Sequence, residues 1–314
     1  MIFKIAEPPP GGKGLLGISP DWDGSPELDA DTLRRARGNY FTALFTRNYF
    51  SQFFERISPA LSQYGALVDI VCGWDTEKIR MYFQSINPAV EVLQLSAMNF
   101  DTFDLLDRAR QAASGQGKYS DLFFAISDRP DGLKNIPLLL EVCAKIDRPT
   151  RMCGYGRLHE SVLEQIRQNP RIQLDWHSKA DVADPTQRLT FLQDLAASRG
   201  LLVTSTHEGY ARLIGEALYL GVPILLNAAI QCENWIHLNQ RNCVLFDRST
   251  FPAALSRLSS QSWEIDPPIY EDGNTCLRKF FMDYLARRGC PPPEVWYPLG
   301  YGARNENIYT GETE

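Results

Sequence analysis

The chain has no apolar run approaching the ~20 residues that a membrane-spanning helix needs. Its opening stretch, MIFKIAEPPPGGKG, lacks the apolar core of a secretory leader. Cysteine is sparse and unordered, with seven residues, an odd count and no CxxC pair. That pattern speaks against a disulfide framework and fits reduced thiols in a cytoplasm, the expected location. Histidine is sparser still. The four residues His159, His177, His207 and His237 show no ligand spacing with the cysteines, so no metal site is expected. Positive charge is in deficit, 32 Lys and Arg against 38 Asp and Glu, for a net charge of -6 and a pI near 5.4. This disfavours a protein that lives on nucleic-acid phosphates. No internal repeat is present.

What is there is a globular composition, 44% hydrophobic and 22% charged. A length of 314 residues suits two domains of ordinary size or one large one. The second half alternates cleanly. DLFFAIS, TRMCGYG, RIQLDWH, LLVTST, VPILLN and CVLFD read as strands. Between and after them IPLLLEVCAKI, LHESVLEQIRQ, PTQRLTFLQDLAAS, the run from Gly209 to Leu220, and STFPAALSRLSS read as helices. Nearly every strand is a continuous apolar run, as a parallel sheet buried on both faces requires. Residues 121–265 are expected to form a doubly wound α/β domain.

The first half is less regular. MIFKIAE, ALVDIVCG and VEVLQLS read as strands, and DTEKIRMYFQSI and FDTFDLLDRARQAAS as helices. The aromatic-rich stretch from Ala30 to Gly65 reads as one long helical region. Residues 1–120 are therefore expected to be a smaller α/β domain, with the polar GQGKYS as its boundary. Residues 266–314 read as a helix and an aromatic tail.

Two glutamates, Glu208 and Glu216, stand with seven residues between them around the start of an apolar helical run. Glu208 follows the strand LLVTST, where open α/β sheets bind ligands beyond the carboxyl ends of their strands. The helix begins near Gly209, and the first N–H groups, near Tyr210 to Leu213, form a ready site for phosphate. Eight residues of helix span up to ~12 Å, comparable to the hexose-to-ribose distance in a sugar nucleotide. An ordinary alternative for Glu216 is an ion pair with Arg212, four residues earlier on a solvated helix face.

The spacing Glu208-Gly209-Tyr210 … Glu216-Ala217 … Gly221-Val222-Pro223 resembles the E-x7-E signature of the retaining glycosyltransferases of family four. The resemblance covers residues 120 to 260, in one order. It includes Arg129 and Lys134 five residues apart in SDRPDGLKN, the glycines of CGYG from Gly154 to Gly156, and Glu233 ahead of RNCVLFD. It implies a GT-B fold: two Rossmann-like doubly wound domains, here with a reduced N-terminal one. It further implies a retaining, metal-independent hexosyltransferase that needs no cofactor besides its nucleotide-diphosphate sugar donor. In the roles it implies, Arg129 and Lys134 grip the donor diphosphate, Glu208 holds the reacting hexose and Glu216 the ribose. Gly209, Tyr210, Ala211 and Gly154 line the donor. The final helix often crosses back to the first domain in such proteins.

Other positions keep two readings. Gly11 and Gly12, with Lys13, either let the backbone approach the diphosphate or form a proline-stiffened turn. His177 either lines the nucleotide-base pocket or plays a structural part. His207 either reaches the donor or packs its loop. The family's usual histidine in the N-terminal domain has no counterpart, since the first histidine is His159. The acceptor, whether glycan, lipid-linked or other, is not legible. Alternatives are a non-catalytic GT-B-like binding or scaffold subunit, and an epimerase or hydrolase acting on nucleotide sugars.

Overall fold

A computed structural model describes residues 2–18, 30–45, 65–73, 76–94, 102–115, 117–128, 132–178, 184–208, 211–232, 237–265 and 273–297. The chain divides into two compact units, cut between Phe100 and Asp101 and again between Ile269 and Tyr270.

The first unit opens with a hairpin. β1 (Ile2–Ala6) pairs antiparallel with β2 (Gly14–Ile18), a strand that the sequence reading leaves unassigned. The PPPGG stretch closes it as a turn. Gly11 takes a left-handed φ of 73°, and the Gly12 N–H donates to the Pro9 carbonyl at 2.9 Å. A short helix, α1 (Ala30–Ala36), leads to β3 (Tyr40–Phe45). The expectation of one long helix from Ala30 is thus corrected as far as Phe45, and its stretch 46–64 lies outside the described residues. Gly38 and Asn39 interrupt it, and the aromatic run YFTALF takes the pleated backbone that suits such residues. β4 (Ile70–Gly73), α2 (Thr76–Ile86) and β5 (Glu91–Gln94) follow. The five strands lie in sequential order, and every pair after the hairpin is parallel. Strand alternation sends Leu16, Ile18, Leu44 and Val71 to one face, against Leu33 and Phe83.

The second unit begins with α3 (Thr102–Ser114). This helix goes with the second unit because its Phe103 and Asp107 engage Tyr219, Asp107 accepting the tyrosine hydroxyl at 2.7 Å. Strands and helices then alternate: β6 (Leu122–Ala125), α4 (Ile136–Ala144), β7 (Thr150–Gly156), α5 (Glu160–Arg167), β8 (Ile172–Ser178), α6 (Pro185–Ala196) and β9 (Leu201–Val203). They continue through α7 (Arg212–Tyr219), β10 (Ile224–Asn227), β11 (Cys243–Phe246) and α8 (Phe251–Ser260). Local signals fix the helix starts. Asp184 caps α6 by accepting from the Thr186 N–H at 2.8 Å, and Pro185 occupies the first helical position. Asn135 caps α4 from a left-handed conformation, φ 53°. The six strands are all parallel, in the order β11-β10-β9-β6-β7-β8. This is the doubly wound order whose direction reverses between β6 and β9. One face packs Phe124, Leu202, Leu225 and Phe246 against Leu139, Val142 and Leu255.

α9 (Gly273–Arg287) belongs to the first unit. Its Leu277, Phe281 and Tyr284 cover Ile5, Leu15, Ala43 and Ile70, the sheet face opposite α1 and α2. No helix among the described residues is long and apolar enough to cross a membrane.

Candidate functional site

Where strand order reverses, neighbouring connections leave the sheet on opposite faces and a crevice opens at the strand ends. β6 and β9 meet there through one backbone pair, Phe123 with Leu201. The two loops beyond them are tied together. The Leu133 carbonyl accepts from the Thr206 N–H at 2.9 Å, and the Lys134 carbonyl accepts from the Thr204 hydroxyl at 3.1 Å. Asn227, buried at the end of β10, supports the same backbone. Its amide donates to the carbonyls of Thr204 and Ser205, 3.1 Å each, while its oxygen accepts from the Ala229 N–H. Sequence reasoning missed Asn227; its one signal was an asparagine ending an apolar strand.

This scaffold brings Lys134 and Glu208 together, although 74 residues separate them. The ammonium donates to Glu208 Oε1, and the Ser205 hydroxyl donates to the same oxygen at 2.7 Å. The Glu208 N–H is held by the Gln231 carbonyl at 2.9 Å. His207 lies beside Glu208 in a backbone bridge to Gln231. Lys134, Glu208, Thr204 and Ser205 line a cleft of about 230 Å³ with Ala211 and Arg212, floored by apolar residues of β6 and β9. Ala211 and Arg212 are the start of α7, so the positive end of that helix dipole faces the cleft. Ala211 has no side-chain oxygen to cap the helix. Two cations, one carboxylate and a helix N-terminus therefore converge on one opening.

Glu216 is not on a solvated face. Its side chain is 2% exposed, and Oε1 accepts from Arg212 Nε at 2.7 Å and from Arg188 Nη2. The i,i+4 pair read from the sequence is thus present, but on a buried face and with a second arginine. Arg188 comes from α6, stacks its guanidinium 4.8 Å above the Phe191 ring, and leaves Nε without a partner among the described residues. Nothing in the spacing around Glu216 points to Arg188, which is 28 residues earlier on another helix.

The remaining expected residues are dispersed. Gly154 lies within β7 rather than in a turn after it, and a Cβ there would meet the rings of Phe124 and Trp176 at 2.5 and 2.8 Å. The glycine at the strand end is Gly156, with φ 140° and room for no Cβ, since one would lie 1.7 Å from the Ile126 carbonyl oxygen. Gly11 and Gly12 lie in the hairpin turn of the first unit, with Gly12 closed in by Pro9 and Pro291. His177 lies on β8, stacked on Tyr155 at 4.6 Å between ring centres. Arg129, Gly209, Tyr210 and Glu233 lie outside the described residues.

No family model matches the sequence, and no curated protein matches it. Solved structures do. Sucrose-phosphate synthase from Thermosynechococcus elongatus is 14% identical, with 87% of this chain and 73% of that one covered, at a TM-score of 0.54. A Listeria monocytogenes protein assigned as a UDP-N-acetylglucosamine 2-epimerase is also 14% identical, over 90% of this chain and 77% of that one, at a TM-score of 0.53. TarM is 15% identical over 70% of this chain at a TM-score of 0.48, and the chain spans only 43% of TarM's length. At such identities the likeness concerns architecture: the chain has the mixed α/β GT-B fold, with parallel sheets.

Proposed function

We propose that the protein is a retaining glycosyltransferase that moves a hexose from a nucleotide-diphosphate sugar to an acceptor. The observation that carries this reading is the meeting of Lys134 and Glu208 beside the start of α7, in the crevice where the strand order reverses. In it, the donor diphosphate lies against Lys134, Arg129 and the helix N-terminus. An ammonium has three donors and Glu208 takes one, so Lys134 can hold a phosphate oxygen while still ordering the carboxylate. Arg212 also lines the opening, with its Nε paired to Glu216.

The chemistry then follows from charge. The bond between the anomeric carbon and the diphosphate oxygen breaks, and negative charge collects on the leaving group, where preorganised cations and a helix dipole stabilise it. The acceptor oxygen attacks from the same face and its proton passes to the departing diphosphate. Glu208 holds hexose hydroxyls, and no divalent metal takes part. Glu216, expected at the ribose, is buried between Arg188 and Arg212, so on this reading it acts on the donor through Arg212, which it holds at the cleft. The Listeria likeness favours one second reading, epimerisation or hydrolysis of a nucleotide sugar.

Incubation with a panel of nucleotide sugars and candidate acceptors, with and without added magnesium or manganese, tests this. The expected result is nucleotide release coupled to a glycosylated product that keeps the donor's anomeric configuration by NMR, at a rate the metals do not change. An inverted product, or turnover only with added metal, overturns the mechanism. Nucleotide release with free sugar as the only product supports the second reading.

A further inference from the structure

A separate polar cluster lies on the second sheet, on the face covered by α6. Parallel register sets Cys153 of β7 opposite Asp175 of β8, and Tyr155 opposite His177. Side chains alternate along a strand, so these four share one face. Asp194 of α6 comes over them. Cys153 Sγ, a ring nitrogen of His177 and a carboxylate oxygen of Asp194 all lie within 4.8 Å of one another. Cys153 is fully buried, while His177 and Asp194 are partly open to solvent.

Each of the three groups has an outer partner. The Tyr119 hydroxyl donates to Cys153 Sγ at 3.4 Å. The Tyr155 hydroxyl donates to Asp194 Oδ2. Asp175 Oδ1 stands 3.4 Å from His177 Nε2. Metal-binding side chains carry such an outer shell, which fixes their orientation. A cysteine buried this deeply is a poor nucleophile for any bulky substrate, but a small cation can reach it from the side of His177 and Asp194. We propose that Cys153, His177 and Asp194 bind a divalent ion of the zinc class, with one coordination position left for water. A tetrahedral ion with ligands at ~2.0–2.3 Å keeps the ligand atoms roughly 3.5 Å apart, so closing this set takes shifts of about 1 Å. Thiolate, imidazole and carboxylate together suit zinc or cobalt better than magnesium or calcium. The thiol proton leaves to solvent as the ion binds. Such a site ties β7, β8 and α6 together and claims His177, which then plays no part in a base pocket.

The 314-residue chain, stripped of metal and dialysed, is titrated with Zn²⁺ against a chromophoric chelator, and separately with Co²⁺ followed by absorbance. We expect one equivalent bound, a sulfur-to-cobalt charge-transfer band in the near ultraviolet, and a melting temperature that rises with Zn²⁺. Cys153→Ser and His177→Ala should each weaken binding at least tenfold, by analogy with losses in known metal shells. Cys232→Ser, which removes a thiol elsewhere, should not. Circular dichroism shows whether each variant is folded, and the partly exposed His177 gives a variant that tests the site without emptying the core. Absence of stoichiometric binding by the parent overturns the proposal, as does binding that survives loss of both Cys153 and His177.

Discussion

The two sheets are built from similar strands but arranged differently. In the first unit the strands run in sequential order from an antiparallel hairpin, and no reversal occurs among the described residues. In the second the order reverses between β6 and β9, and Lys134, Glu208 and the start of α7 converge at that reversal. Polar residues gather where topology leaves strand ends uncovered. The glycines differ accordingly. Gly11 has a positive φ, sits in a turn and has open space around it. Gly156 has a positive φ and a carbonyl pressed against its Cα, so it fixes how closely β6 and β7 end together.

Substitution at these glycines breaks the comparison most sharply. Gly156→Ala should cost the second unit about 4–5 kcal/mol, from backbone strain and displacement of the Ile126 carbonyl. Gly11→Ala should cost only about 1–2 kcal/mol. Urea denaturation of both variants measures this, and equal losses would mean that the close approach at Gly156 is readily relaxed.

Next in size is the buried ion cluster between α6 and α7. Arg188→Ala removes one partner of a carboxylate with 2% exposure and should destabilise by about 3–5 kcal/mol. A loss under ~1 kcal/mol would show that Arg212 alone satisfies Glu216. The first unit offers the small end of the scale. Burial works against the Glu7 carboxylate, but hydrogen bonds from Tyr297 and Lys4 outweigh it and hold the group below its ordinary value of 4.5. A lowered folded-state value stabilises fully above the unfolded-state value and is lost as pH falls through the folded one. Glu7→Gln should therefore cost less than ~1 kcal/mol at neutral pH, because the group is partly exposed, and the gap to the parent should close as pH falls below 4.5 through the folded-state value. A gap that persists once the carboxylate is protonated in both folded and unfolded states would assign the effect to packing instead.

Much of the second unit was legible because its strands are apolar runs punctuated by glycine, proline and helix caps such as Asp184. The crevice after β9 could be marked from topology alone, and Glu208 placed at it. Apart from the i,i+4 pair of Arg212 with Glu216, partners were not legible. Lys134 reaches Glu208, and Arg188 reaches Glu216, only through the three-dimensional crossing of elements, and no spacing encodes that. The same holds for Cys153, His177 and Asp194, whose separations match no metal pattern because the sheet register, not the local sequence, brings them together. The first unit was less legible. PPPGG reads equally as a phosphate loop or a turn, and YFTALF carries no helix-breaking residue of its own. Its strand character depends on the neighbours that bury both faces.

The central claim is that a donor diphosphate binds at the β6/β9 reversal beside Lys134. Calorimetric titration of the parent and of Lys134→Ala with a nucleoside diphosphate and with the bare nucleoside tests it most directly. Loss of one charged hydrogen bond is worth about 1.5–3 kcal/mol, roughly a 10- to 150-fold change in affinity. The account predicts that loss for the diphosphate and an unchanged affinity for the nucleoside. Equal weakening of both ligands, or no weakening of either, would contradict it.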